Sequence, residues 1–241
     1  MNIEQNRNAA GDAVNLRRET PKTGVLKCDF LSMSLILEWL KIVAPRYAVG
    51  TLLDYGCGNK PYLSFFNGRI SAYVGVDVVQ NKFNTVDVVL KPEEALPFDN
   101  DSIDTVLSTQ VLEHVADPGR YVAEVARVLK RGSHFILTCP SSYMVHEEPY
   151  DYFRYTEYGL KHLLNSHGLH IVKKDQAGGA WRLAGQILMN HNAFGRKRRI
   201  PILSSISYYA AMLAGNLFFS WMDRWNNNEK DTINLMIVAQ K

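Results

Sequence analysis

The sequence predicts an α/β protein built on a doubly wound sheet, and three observations predict it. Apolar runs of strand type occur seven times, helical patterns lie between them, and the first run ends in a glycine turn, "LLDYGCGNKPY" (52–62). Strands that stay apolar without alternation are covered on both faces, as in parallel sheets flanked by helices.

In chain order, residues 1–46 form an N-terminal arm and helix. The stretch "MNIEQNRNAAGDAVNLRRETPKTG" is polar, has no apolar core of signal-peptide type, and reads as a partly disordered arm that directs no export. "FLSMSLILEWLKIV" (30–43) is an apolar-rich helix. The strand-like runs follow as "GTLLDY", "AYVGVDV", "TVDVVL", "IDTVLST", "SHFILTC", "LHIVKK" and "INLMIVAQ". A helix is expected near Pro61. The clearest helix is "DPGRYVAEVARVLKRG", where Asp117 can cap, Pro118 suits the first turn and Gly132 ends it. Its Tyr121, Val122, Val125, Val128 and Leu129 share one face, which should pack on the sheet.

Composition narrows the function classes. With 241 residues, 46% hydrophobic and 21% charged, the chain can bury one large core. A net charge of +3 does not by itself indicate nucleic acid. Cys28, Cys57 and Cys139 are far apart and odd in number, so neither a disulfide framework nor a zinc site of CxxC type is expected. A reducing, cytoplasmic setting fits.

The glycine turn carries the first functional expectation. Gly56 and Gly58 fall at the carboxyl edge of the first strand, where such sheets bind ligands. Asp77, 19 residues beyond Gly58, ends the second strand and can accept hydrogen bonds from ribose hydroxyls. A pyrophosphate would want a third glycine where Pro61 stands, and the carboxylate of Asp54 would repel phosphate. A cofactor with an ammonium group, a sulfonium and no phosphate reverses that preference, and S-adenosylmethionine is such a molecule.

At these residues the chain resembles the class I S-adenosylmethionine-dependent methyltransferases, in particular the large small-molecule group. The resemblance rests on "LLDYGCGNKPY", "VGVDV", "EALPFDNDSIDTVLSTQVLEHVADPGRYVAEVARVLKRG" and "FILTCP". It implies a Rossmann-like, seven-stranded, mostly parallel sheet with an antiparallel last strand. The methyltransferase domain would then be 47–241, with 177–232 as a helical insertion between strands six and seven. It implies further that Asp54, Gly56 and Gly58 hold the methionine end of the cofactor, Asp77 the ribose, and Ser108 to Gln110 the methyl side. Where the family often has a third glycine this chain has Lys60, and Glu93 is the nearest substitute for an acid that holds the adenine.

Two stretches bear on the acceptor. "QVLEHV" offers Glu113 and His114 just after the fourth strand and resembles the metal-binding ExxEH of ubiquinone-pathway O-methyltransferases. Gln110 replaces the first acid, so no metal is expected. His114 is either a catalytic group or a satisfied structural histidine beside the cofactor. "MVHEEPYDYFRYTEYGL" (144–160) has the composition of a substrate wall and resembles the H..P.DYFRYT..GL segment of methyltransferases associated with bacterial envelope glycan assembly. His146 is the expected general base, with His114 and Asp151 as further candidates. Tyr150, Arg154 and Tyr155 are expected at the substrate, the alternative for Asp151 and Arg154 being a pair that only braces a lid.

The acceptor is therefore expected to be a small molecule, a sugar or a lipid-linked glycan precursor. DNA is not expected, because "STQV" stands where amino-methylating DNA enzymes resemble one another in (D/N)PP(Y/F), and "TCP" echoes only half of the cysteine pair of RNA cytosine enzymes. The rival classes are a NAD-dependent oxidoreductase and a non-catalytic, membrane-docked relative.

The insertion holds "RKRR" (196–199) followed by 23 uncharged residues, 200–222. That length suits a membrane span of about 20 residues. Strands six and seven must share one sheet, however, so a single crossing is impossible. The sequence predicts a helix lying on the protein or in the membrane interface, with Tyr208, Tyr209, Phe218, Phe219, Trp221 and Trp225 and the basic cluster facing anionic lipid. A core cover or a homodimer contact through residues 200–225 is the alternative.

Overall fold

The computed structural model describes residues 19–92, 94–194, 201–226, 228 and 230–241, with backbone alone at 194 and 201–204. Helix α1 (Phe30–Tyr47) leads into β1 (Gly50–Tyr55), β2 (Ile70–Asp77), β3 (Val88–Val89) and β4 (Ile103–Thr109). Then come α2 (Pro118–Val128), β5 (Leu129–Pro140), α3 (Glu157–Asn165), β6 (His170–Ala177), α4 (Ala180–Phe194), α5 (Pro201–Trp225) and β7 (Asn234–Gln240). The strands form one seven-stranded sheet in the order β3-β2-β1-β4-β5-β7-β6. β7 runs antiparallel to both β5 and β6, and the other pairings are parallel.

Successive residues of the central strands feed opposite cores, as their pleat requires. Leu53, Phe135, Leu137, Leu235 and Ile237 pack with α2 and α3, whereas Leu52, Ile136, Met236 and Val238 pack with α1. This double burial explains the apolar runs without alternation. Successive strands are added outward in opposite directions from β1 and β4, β2 on one side and β5 on the other, and the crevice above the carboxyl ends of β1 and β4 is where a ligand can enter.

Three local expectations are corrected. No α-helix follows Pro61; the described chain makes only a 3-10 turn, Leu63–Phe65, before a reversal at Gly68 with φ +72°. The helix opened by Asp117 ends at Val128 rather than Gly132, because Leu129 extends to pair with Ile103 at the start of β5. The third strand contracts to two residues, since only Val88 and Val89 find partners on β2. The start of α2 is as expected, with Asp117 accepting the N–H of Arg120 at 3.0 Å and Pro118 in the first turn.

In the described part of the insertion, α4 and α5 pack on each other and against α1. Gly185 permits the close approach, since a Cβ there would stand 2.4 Å from the Phe219 ring. Buried polar groups fasten it. Arg182 donates to the Leu31 carbonyl at 2.8 Å, and Asn216 donates to the carbonyls of Val25 and Lys27 at 2.6 and 3.0 Å. Tyr208 and Phe219 pack inward, whereas Tyr209, Leu213, Leu217, Phe218, Trp221 and Trp225 are exposed. The basic cluster 196–199 lies outside the described residues. Among the described residues, no helix is long and apolar enough to cross a membrane.

Candidate active site

A cavity of about 720 Å³ opens above the carboxyl ends of β1, β2 and β4. Asp54, Gly56, Gly58, Asp77, Glu94, Thr109, Gln110, His114, Tyr150 and Tyr152 are among the residues on its wall. The two glycines are required by the backbone. Gly56 has φ +87° and a Cβ there would stand 2.4 Å from the Val111 side chain, while Gly58 has φ +51°. The N–H groups of Gly56 and Cys57 both reach the Val76 carbonyl, at 2.8 and 3.0 Å, so β2 holds the turn after β1.

Asp77 completes that hold. One of its carboxylate oxygens accepts the N–H of Gly58 at 2.8 Å and the other that of Val78 at 2.7 Å. Lys60 takes up φ +51° where the family pattern often has glycine, and its ammonium pairs with Asp87 at 2.5 Å, which also accepts the N–H of Gly75.

Asp54 is buried at the end of β1 and accepts a short hydrogen bond from the Tyr73 hydroxyl. Burial pushes its carboxyl up to about 7, against the opposing pull of that hydroxyl. Tyr73 is a residue that the sequence did not single out, and its place behind Asp54 depends on how β1 pairs with β2. Ser108 is fully buried behind the wall and accepts from the Tyr121 hydroxyl at 2.9 Å, so Thr109 and Gln110 are the residues of that stretch that face the cavity. Glu93 lies outside the described residues, and its neighbour Glu94 lines the cavity.

The segment after β5 folds over the open end. Its backbone is pinned by the Glu113 carbonyl, which accepts the N–H groups of Tyr152 at 2.9 Å and Phe153 at 3.2 Å. Arg154 clasps Asp151 through two hydrogen bonds of 2.6 Å and also donates to the carbonyls of Tyr143 and Met144. Burial would raise the Asp151 carboxyl, but Arg154 and the His146 N–H hold it below its ordinary value. Tyr155 is buried and donates to the Leu112 carbonyl at 3.2 Å. Arg154 faces a second recess, shared with Tyr143 and Gln186.

The two histidines converge at the edge of the first cavity. His114 lines it, and its Nδ1 lies 3.0 Å from the Tyr150 carbonyl. His146 stands beside His114 with ring centres 4.8 Å apart in an edge-to-face arrangement. Burial lowers the His114 imidazole below its ordinary value, favouring the neutral ring. Next to them Glu113 is fully buried, neither carboxylate oxygen has a hydrogen-bond partner, and burial pushes the carboxyl up to about 8.

Residues 53–137 match a family model described as a methyltransferase domain. That stretch contains Asp54, both turn glycines, Asp77, Gln110 and His114. The chain is 34% identical over 150 residues to an uncharacterized methyltransferase of Mycobacterium marinum, covering 58% of this chain and 56% of that protein. It is 28% identical over 106 residues to a probable S-adenosylmethionine-dependent methyltransferase of Mycobacterium tuberculosis, covering 41% and 39% of the two. The chain thus spans about half the length, or less, of these curated relatives. Among solved structures, a SAM-dependent methyltransferase from Archaeoglobus fulgidus shares the fold with a TM-score of 0.54 at 16% identity, over 86% of this chain and 94% of that one. The sheet and its flanking helices are those of a Rossmann-like methyltransferase fold, and most of the cavity wall, though not Tyr150 and Tyr152, comes from the matched residues.

Proposed function

We propose that the protein transfers the methyl group of S-adenosylmethionine to an oxygen of a small molecule, a sugar or a lipid-linked glycan precursor. The observation that carries the reading is the open, acid-walled cavity over the Gly56–Gly58 turn, most of whose wall comes from the stretch that matches a methyltransferase domain. The residues fit the cofactor: Asp54 is a carboxylate shielded from water where an ammonium can meet it, Asp77 an acceptor for ribose hydroxyls, and Glu94 stands nearby for the adenine end. S-adenosylmethionine supplies a methyl group activated by its sulfonium.

The protein's own part is placement and proton management. With the cofactor held by Asp54, Asp77 and the Gly56–Gly58 turn, the residues on the acceptor side would have to place an acceptor oxygen against the donated methyl group. The acceptor loses one proton, and His146, with His114 and Asp151 around it, promotes that loss. Tyr150 and Tyr152 wall the acceptor side, while Arg154 and Tyr155 keep the overhanging segment in place.

The exposed aromatic face of α5 supports a lipid-linked acceptor, because Trp221 is 59% and Trp225 75% exposed on a helix whose opposite face is anchored to the domain. We assign this face to peripheral contact with anionic membrane, with a second copy of the chain as the competing occupant. Transfer from labelled donor into a lysate of the host, followed by fractionation, tests the reading. Label should enter lipid or glycan fractions; label confined to protein or nucleic acid would overturn the acceptor class.

A further inference from the structure

The fold brings together three metal-ligating side chains that the sequence separates. One donor atom from each of Glu113, His114 and His146 lies within 4.8 Å of the other two. We propose that these residues bind a divalent transition-metal ion of the zinc type behind the cavity edge that His114 lines. The proposal rests on the methyl-transfer reading for the ion's role, not for its binding.

Donor chemistry and orientation both fit. Two imidazoles and one carboxylate, with a position left open, form a common set for catalytic zinc. Ligands about 2.0–2.1 Å from an ion stand roughly 3.4 Å apart in a tetrahedron, so modest side-chain rotation closes the cluster. His114 Nε2 already lies 3.9 Å from Glu113 Oε1.

Each histidine also has its other nitrogen occupied, as metal-binding histidines do. The Nδ1 of His114 is 3.0 Å from the Tyr150 carbonyl, which assigns its N–H there and leaves Nε2 with the lone pair. The Nδ1 of His146 is 3.1 Å from the Met144 carbonyl and 3.2 Å from Asp151 Oδ2, with the same consequence. Asp151 is in turn fixed by Arg154, so the aspartate is a positioning residue for His146.

Glu113 supplies the independent observation. It is 0% exposed and both of its oxygens lack a hydrogen-bond partner, an arrangement that is costly for a carboxylate unless a cation meets it. The expectation of no metal turned on Gln110, which stands where the first acid of ExxEH would be. Here the third donor comes instead from the overhanging segment, pinned to the Glu113 carbonyl by Tyr152 and Phe153. With the ion bound, His146 would serve as ligand and not as general base, and the ion would take over its part by letting an acceptor hydroxyl lose its proton near neutral pH.

The test is titration of the chelator-treated full chain with Co²⁺, followed by visible absorption and calorimetry, with Zn²⁺ as competitor. One Co²⁺ should bind per chain with the strong bands of low coordination and be displaced by Zn²⁺. Glu113→Gln and His146→Gln should weaken binding by about a hundredfold or more, and Asp151→Asn by about tenfold. Affinity for S-adenosylhomocysteine, measured on the same samples, reports that each variant is folded. Wild type that binds no Co²⁺, or variants that bind it equally well, would overturn the proposal and leave Glu113 as a buried neutral acid. Wild type that binds Co²⁺ but not S-adenosylhomocysteine would instead sink the methyl-donor reading alone.

Discussion

The carboxylate of Asp77 accepts the backbone N–H of Gly58 at 2.8 Å, so the acid that ends β2 also shapes the glycine turn after β1. Its two roles cannot be separated by deleting it. Asp77→Ala should weaken binding of S-adenosylhomocysteine by about 1 to 3 kcal/mol, the scale of hydrogen bonds to a charged group. Asp77→Asn keeps one acceptor and should lose less. Calorimetry on both variants checks this order, and full affinity in a folded alanine variant would remove Asp77 from the site.

Asp54 sets a pH dependence whose sign follows from burial. Its carboxyl is raised to about 7 in the free protein. A bound ammonium favours the ionised form, so binding releases a proton and affinity grows with pH until the free carboxyl is ionised. Affinity for S-adenosylhomocysteine should therefore rise about tenfold between pH 6 and pH 8. Asp54→Asn should bind more weakly and show a flat profile over the same range. A wild-type affinity that falls with rising pH would contradict the ammonium assignment.

His146 touches His114, which lines the cavity, but does not itself line it. Its loss should therefore act on chemistry rather than on donor binding. His146→Ala should lower kcat by about a hundredfold while leaving affinity for S-adenosylhomocysteine within about twofold. Turnover of label into the acceptor fraction measures the first and calorimetry the second. Full activity would shift the proton-handling role to His114 alone.

The exposed face of α5 predicts a surface phenotype without an active-site one. Wild type should float with acidic liposomes at low salt and be released as salt is raised. Replacing Trp221 and Trp225 by Ser should abolish flotation while the fold survives, since neither side chain is buried. If wild type stays in the soluble fraction, sedimentation should show a dimer that the same replacements dissociate.

The glycine turn, Asp77 and the cap at Asp117 were legible because each depends on residues close in sequence or at a fixed spacing. The doubly covered sheet was legible in the uninterrupted apolar runs, and its antiparallel last strand in the family resemblance, whereas the order of strands came only with the structure. What escaped was fixed by pairing at a distance. Tyr73 reaches Asp54 only through the parallel register of β1 and β2, and α2 stops at Val128 because Leu129 is drawn to Ile103. The short 3-10 turn after Pro61 reflects the backbone taken at Lys60 and Gly68, which no periodicity announces. The meeting of Glu113, His114 and His146 requires the segment after β5 to fold back over β4, and the sequence hinted only at its first half, through the resemblance of "QVLEHV" to ExxEH.

The most direct test of the account is calorimetric titration of the purified chain with S-adenosylhomocysteine and, separately, with NADH. The buried Asp54 and the turn at Gly56 and Gly58 favour an ammonium and offer a pyrophosphate no third glycine, since Pro61 stands there. One equivalent of S-adenosylhomocysteine should bind with micromolar or tighter affinity, and NADH should give no heat of binding. Tight binding of NADH with none of S-adenosylhomocysteine would contradict the assignment of this cavity to methyl transfer.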